Sequence, residues 1–279
     1  MTLVYLGTSD FAAAVLRALG EGPHRPALVV TRPDAPRGRG RRVAPPPVAD
    51  TARELGIELD QPESVNDDNA RARIAAAGRG GEVVVVVCAF GALIKEPLLG
   101  EHELFNVHPS LLPRWRGAAP VERAIMAGDR ETGVSIMRVT AGLDSGPVYA
   151  QEAEPIHESD TYGSLAARLE PLSARLLARV LDSRPEPAEQ PESGVTYADK
   201  ITAQDRTLDL SLDPAEIVRV VRALQPHIGA RLALPDGSFL GVQEARVAAG
   251  GGLELVTVQP PGGRPMAYAD YLRGHAPAL

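Results

Sequence analysis

The densest concentration of chemically useful side chains is the run Phe105-Asn106-Val107-His108-Pro109-Ser110-Leu111-Leu112-Pro113-Arg114-Trp115-Arg116-Gly117-Ala118-Ala119-Pro120. Asn106 and His108 stand two apart on a predicted strand, so both side chains leave the same face. Pro109 and Pro113 stop further pairing, which puts the two polar groups at the strand's carboxyl end. Downstream, Ala141-Gly142-Leu143-Asp144-Ser145-Gly146-Pro147 is a glycine-bracketed turn carrying one carboxylate. Folded over the strand end, that turn would pair Asp144 with His108. An Asn/His/Asp set suits acyl transfer without a covalent intermediate. A nearby carboxylate orients an imidazole and favours its charged form. An amide and an imidazolium can both donate to an oxyanion growing on a tetrahedral carbon. A plainer reading stays open on spacing alone: the Asn and His satisfy loop backbone, and Asp144 is a turn residue.

Other chemistries find less support. The first βα turn, Gly7-Thr8-Ser9-Asp10-Phe11, lacks the G-x-G-x-x-G glycines, and its early acid would repel a pyrophosphate. No Walker motif, no nucleophile elbow and no His/Asp/Glu cluster with metal-ligand spacing occurs, so no metal is expected. Cys88 is the only cysteine, which excludes an intrachain disulfide and any multi-cysteine zinc site. Beside five valines, it reads as a core thiol.

The elements that must position these residues follow from hydrophobic pattern. Leu3–Gly7 reads as a buried strand and 11–19 as a helix behind it, capped by Ser9 or Asp10. Ala27–Thr31 is a second strand, followed by a Pro-, Gly- and Arg-rich loop over 32–47. Helical patterns over 48–55 and 67–77 flank a short strand near 57–59. Val83–Val87 is a strand covered on both faces. Strands alternating with helices at this spacing predict parallel pairing and right-handed crossovers. Further strands are expected at 105–107, 134–139 and 148–152, with helices at 118–126 and 162–181. Beyond them, a helix over 214–224 leads into strands at 230–234, 239–247 and 253–258, and a helix near 269–273.

The 279 residues predict one large domain or two unequal ones. Hydrophobic residues at 44% allow a sizeable core, and 27 glycines with 25 prolines fall short of disordered composition. Residues 182–194 are proline-rich and nearly free of apolar side chains, the signature of an exposed, semi-rigid linker. The expected division is a catalytic domain over 1–182, a linker over 183–203 and a β-rich C-terminal domain over 204–279. The nearly apolar run 83–94 is too short to span a bilayer, and the N-terminus has no secretory pattern. Both, with the lone cysteine, favour a reducing cytoplasm. Net charge is −7, but residues 32–42 carry a local +4 from Arg32, Arg37, Arg39, Arg41 and Arg42 against Asp34. Taken alone, this loop is either a solvated face or a nucleic-acid contact.

Asn106 to Pro113, with Leu143-Asp144-Ser145-Gly146 downstream, resembles the folate-dependent formyltransferases. Arg114 to Pro120, Gly7 to Ala12, Arg32-Pro33-Asp34 with Gly38-Arg39-Gly40, and Val195 to Lys200 look like the methionyl-tRNA formyltransferases among them. The resemblance implies a Rossmann-like, mostly parallel α/β catalytic domain followed by a small barrel of the OB type. It implies 10-formyltetrahydrofolate as donor and the α-amine of methionine on initiator tRNA as acceptor. Asn106, His108 and Asp144 match the family's catalytic positions. Ser110, Leu111, Leu112 and Pro113 match its folate-contacting segment, and backbone around Cys88, Phe90 and Gly91 would line the pterin pocket. Phe11 would border the methionyl side chain. The loop carrying Arg37, Arg39, Arg41 and Arg42 would enter the acceptor stem, as part of a monomer with no membrane association.

Ser9 and Gln225-Pro226-His227 depart from the family's pattern. More consequential is the C-terminal unit, where only residues 241–252 separate Leu240 from Leu253 and at least a hairpin's worth is missing. Residues 204–279 hold seven arginines against eight acids, so this domain is a poor match for a basic nucleic-acid platform. The reduced domain keeps two other readings in view: a formyltransferase for a nucleotide-linked amino sugar, and an inactive folate- or RNA-binding protein.

Overall fold

The computed structural model describes residues 1–37 and 42–274. In chain order its elements are β1 (Thr2–Gly7), α1 (Asp10–Gly20), β2 (Leu28–Val30), β3 (Ala35–Arg37), β4 (Arg42–Ala44), α2 (Pro47–Leu55), β5 (Glu58–Asp60), α3 (Asp68–Ala77) and β6 (Val83–Cys88). There follow α4 (Leu98–Glu101), β7 (Glu103–His108), β8 (Arg116–Gly117), α5 (Pro120–Ala127), β9 (Glu131–Arg138), β10 (Val148–Pro155) and α6 (Tyr162–Ser183). The C-terminal part adds β11 (Tyr197–Ala198), α7 (Pro214–Ala223), β12 (Ala230–Ala233), β13 (Phe239–Val247), β14 (Leu253–Gln259), β15 (Met266–Ala267) and α8 (Tyr268–Tyr271). No helix among the described residues is long and apolar enough to cross a membrane.

The chain divides into two compact units. The first holds Met1–Ala118, Gly133–Glu154 and Arg168–Tyr197; the second holds Ala119–Thr132, Pro155–Ala167 and the chain from Ala198 onward.

The first unit is built on a seven-stranded sheet in the order β10-β9-β7-β6-β1-β2-β5. Strands β5, β2, β1, β6 and β7 run parallel. The valine run of β6 is covered on both faces, with Val84, Val85 and Val86 wholly inaccessible, as an uninterrupted apolar strand requires. At β9 the sheet changes sense, because β9 pairs antiparallel with β7 (Phe105↔Arg138, His108↔Ser135). The sheet is therefore mixed and mostly parallel. From β1 the connections run outward to β2 and β5 on one side and to β6 and β7 on the other. That reversal makes the carboxyl ends of β1, β6 and β7 the natural ligand crevice. Register aligns these ends: Gly7 pairs with Cys88, and Val87 with Asn106. Gly7 has to be glycine, since a Cβ there would lie 2.9 Å from the Ala12 Cβ and 3.1 Å from the Cys88 carbonyl oxygen. Ser9 caps α1, accepting from the Ala12 amide at 3.3 Å.

The arginine-rich loop contains a small antiparallel ribbon, β3 with β4, in which Arg37 pairs with Arg42. Three-residue strands fall below the length at which alternation is readable, so the sequence shows only a loop here. Arg39 and Arg41 lie outside the described residues, and Arg42 is exposed.

The second unit is a four-stranded antiparallel sheet in the order β12-β13-β14-β15, packed on α7. Leu240, Val242 and Val258 are wholly inaccessible at its centre, with Ile217 and Val221 of α7 against them. β13 and β14 are joined by a tight turn in which the Ala248 amide donates to the Gly252 carbonyl at 2.8 Å. The stretch that the sequence marks as short is thus a direct hairpin. Helix α5 belongs to this unit because it packs on α7, where Arg219 Nε donates to the Met126 carbonyl at 3.1 Å.

Arg123 of α5 reaches Asp205 at 2.8 Å. Burial pushes the Asp205 carboxyl up, but the Arg123 guanidinium and the Thr202 hydroxyl and amide outweigh it and hold the group at about 2. A carboxyl held below its unfolded value gives stability that is fully present above about pH 4 and lost as pH falls through about 2. Asp205→Asn should therefore flatten the acid limb of the Tm-against-pH curve and leave little difference in slope near neutrality.

Candidate functional site

Asn106 and His108 close β7 on one face, while Phe105 and Val107 are buried on the other. The turn that carries Asp144 folds over this strand end. Asn106 Nδ2 donates to Asp144 Oδ1 at 3.1 Å, and the Gly117 amide donates to Asp144 Oδ2 at 2.9 Å. Asp144 Oδ2 stands 3.7 Å from His108 Nδ1, an ion-pair distance beyond hydrogen-bond reach. The other ring nitrogen, Nε2, is 2.8 Å from the Trp115 carbonyl oxygen. That oxygen can only accept, so Nε2 carries a proton and Nδ1 is the atom turned toward the carboxylate. His108 is buried, at 4% exposure. Asn106 and Asp144 are half-buried, so one side of the cluster is open.

Backbone geometry around the cluster is unusual. Trp115 (φ 63°), Asp144 (φ 43°) and Ala89 (φ 42°) are non-glycine residues in the left-handed region. Such conformations cost of order 1–3 kcal/mol each and persist only where surroundings enforce them. The enforcement is visible. The Trp115 amide donates to Thr196 Oγ1 at 2.9 Å, and the Arg116 amide to the Thr196 carbonyl at 2.9 Å. The Asp144 turn ends on Gly146, where a Cβ would lie 2.0 Å from the Arg138 carbonyl oxygen.

Residues 110–113 form the turn after β7. Ser110 is fully buried and spends its hydroxyl on the Arg114 carbonyl at 2.7 Å. Leu112 is buried; Leu111 and Pro113 are half-buried. The turn is braced from below by Ser135 of β9, whose hydroxyl donates to the Ser110 carbonyl (2.6 Å) and accepts from the Leu112 amide (3.1 Å). Gln151 of β10 donates to the Leu112 carbonyl and to Ser135 Oγ, both at 2.8 Å. Ser135→Ala would strand these buried groups, at about 1–3 kcal/mol. A lower denaturation midpoint should accompany it, measurable on the purified protein.

Across the crevice, β6 ends at Cys88, whose thiol burial pushes up to about 12. Cys88 and Phe90 are buried, whereas Ala89 and residues 91–93 are exposed before the buried Ile94. The Phe90 carbonyl accepts from Thr8 Oγ1 at 2.7 Å, tying this turn to the end of β1. Phe11 is 5% exposed at the start of α1. Register and these contacts bring Cys88, Phe90 and Gly91 to the same sheet end as Asn106 and His108. Arg37 and Arg42 lie on the separate ribbon.

Side-chain types alone did not reveal the Trp115 carbonyl and the Gly117 amide, because backbone groups carry no residue signature. Arg116 and Gln190 were also missed. Gln190 lies in the proline-rich segment that composition marks as a spacer, and nothing but a lone amide there could have flagged it.

The formyl transferase family matches residues 1–181. Methionyl-tRNA formyltransferase of Dechloromonas aromatica is 40% identical over 303 aligned positions, which cover 100% of this chain and 97% of the relative. The protein of the same name from Dinoroseobacter shibae is 42% identical over 294 positions, covering 98% of this chain and 97% of the relative. Both alignments run over more positions than this chain has residues, so the relatives carry insertions relative to it. Among solved structures, methionyl-tRNA formyltransferase from Clostridium thermocellum superposes with a TM-score of 0.65 at 14% identity, covering 96% of this chain and 99% of that one. A sugar N-formyltransferase from a Shewanella species gives 0.66 at 18% identity, covering 89% and 99%. These structural likenesses establish the fold, and the sequence identities establish descent. The chain belongs to the formyl transferase family of enzymes, and within it to the methionyl-tRNA formyltransferases.

Proposed function

We propose that this enzyme transfers a formyl group from 10-formyltetrahydrofolate to the α-amine of methionine esterified to initiator tRNA. The observation that carries the proposal is the joining of Asn106, His108 and Asp144 at the carboxyl end of β7, in a chain alignable end to end with methionyl-tRNA formyltransferases.

The chemistry follows from the contacts. The Asn106 amide has two N–H groups, and Asp144 takes one. The other, with His108 Nδ1–H, donates to the formyl oxygen as the amine attacks and charge grows there. The Trp115 carbonyl keeps the ring oriented through Nε2, and the Asp144 carboxylate stands 3.7 Å from Nδ1. Asp144 accepts the amine's proton through water. The amine loses one proton and the folate nitrogen gains one as its bond to the formyl carbon breaks, so the transfer is proton-neutral overall.

The turn after β7 (Ser110, Leu111, Leu112, Pro113) and the turn after β6 (Cys88, Phe90, Gly91) flank the folate. Since Ser110 and Cys88 are buried with their polar atoms engaged or desolvated, these turns offer backbone and apolar surface. Phe11 borders the methionyl side chain. Arg37, Arg39, Arg41 and Arg42 meet acceptor-stem phosphates, which makes binding steeply salt-dependent. We place the enzyme in the cytoplasm with its tRNA, acting as a monomer.

Incubating the protein with 10-formyltetrahydrofolate and either methionyl initiator tRNA or methionyl elongator tRNA tests this. Formylmethionine is expected on the initiator alone. No product on either tRNA, or formylation of a nucleotide-linked amino sugar instead, would overturn it.

A further inference from the structure

The proline-rich segment after α6 is tied to the rest of the first unit at several points. Ala188 bridges Val148 through paired backbone bonds of 2.7 and 2.9 Å. Two residues on, Gln190 Nε2 donates to the Asp144 carbonyl and to the Gly146 carbonyl, each at 2.8 Å. Its Oε1 accepts from Arg116 Nε at 3.0 Å and from Nη2 at 2.7 Å. Both N–H groups and both oxygen lone pairs of this amide are engaged, and every partner belongs to a chain segment that builds the candidate site.

The arrangement has a specific consequence. Asp144 sits at φ 43° in a turn whose tip, Leu143, is 62% exposed. A non-glycine residue keeps that conformation where its surroundings hold it. Gln190 grips the turn from outside on both sides of Ser145, and Arg116 fixes Gln190 in the orientation that donates to it. Arg116 is also one residue from Trp115, whose carbonyl orients His108. The two halves of the cluster, the Asp144 turn and the 115–117 backbone, are thereby locked together through one side chain.

We propose that Gln190 is a positioning residue for formyl transfer, holding the Asp144 carboxylate in register with Asn106 and His108 through the Arg116–Gln190–Asp144 connection. The proposal rests on the reading of this site as the formyl-transfer centre. The proline-rich segment then does more than separate domains: it sets the geometry of catalysis. A misplacement of about 1 Å in such a constellation costs on the order of 10²-fold in rate.

The test compares wild-type protein with Gln190→Ala, Gln190→Glu and, as a control on the same segment, the exposed Glu192→Ala. In Gln190→Ala, kcat should fall about tenfold or more while KM for folate and tRNA stays within about twofold, the pattern of an interaction realised only in the transition state. Gln190→Glu keeps the acceptor for Arg116 but faces two carbonyl oxygens with a carboxylate, so its kcat should fall at least as far. Glu192→Ala should match wild type. In NMR spectra of Gln190→Ala, the Asn106 side-chain amide and the Gly117 backbone amide, which both donate to Asp144, should shift. Unchanged kcat in Gln190→Ala, a loss that falls on KM, a loss matched by unfolded protein, or unmoved Asn106 and Gly117 resonances would overturn the proposal. If wild-type protein formylates no acceptor, the functional reading falls and those two resonances still decide the role of Gln190.

Discussion

His108→Ala is expected to lower kcat for formyl transfer by about 10²–10⁴, the usual worth of a positioned proton donor. KM for either substrate should change little. The ring is buried, with Nε2 anchored on the Trp115 carbonyl and Nδ1 facing Asp144. In the proposed mechanism its Nδ1–H meets the formyl oxygen most strongly once that oxygen is charged, so its loss should raise the barrier more than it weakens binding. Steady-state kinetics with each substrate varied in turn measures this. A thermal melt alongside separates it from unfolding, since alanine leaves the Trp115 carbonyl and the Asp144 carboxylate short of a partner.

Asn106→Ala should cost about 10²–10³ in kcat, or about 2.7–4 kcal/mol, the penalty for losing one preorganised oxyanion donor. Two losses coincide in this variant. The N–H that the proposed mechanism gives to the reacting carbonyl disappears, and so does the bond that holds Asp144 Oδ1 at 3.1 Å. Asn106→Asp, nearly isosteric, should be no better than alanine. It exchanges a donor for an acceptor and sets a second carboxylate within hydrogen-bond distance of the first, where like charges repel. Recovery of activity in Asn106→Asp would show that shape rather than donation is what the position supplies.

How far these features were legible in the sequence depends on whether they are written in side chains or in pairing. The β6 strand was readable because five valines in succession demand burial on both faces, and β7 because two prolines end it just where its polar residues stand. Asn106 and His108 could be grouped because strand geometry fixes residues two apart on one face. Their meeting with Asp144 depends on how a distant turn folds back, which the glycine-bracketed turn leaves conditional and the resemblance supports. The antiparallel insertion of β9 beside β7 is a non-local choice, and the alternating pattern before it pointed to parallel neighbours. The β3–β4 ribbon is too short for alternation to register. Gln190 was invisible for a different reason. Composition identifies a segment that cannot build its own core, but it does not say what that segment lies against. The Trp115 carbonyl and Gly117 amide show the same limit, since every residue has both groups.

In the proposed mechanism Asn106, His108 and Asp144 act as one device on one formyl group. The most direct measurement is single-turnover transfer from 10-formyltetrahydrofolate to methionyl initiator tRNA, both saturating, by wild-type protein, the two alanine variants and Asn106→Ala/His108→Ala. Residues that work as a unit are strongly non-additive, so the double variant should be no more than about tenfold slower than His108→Ala alone. A double variant slowed by the full product of the single effects, or either single variant near the wild-type rate, would contradict it.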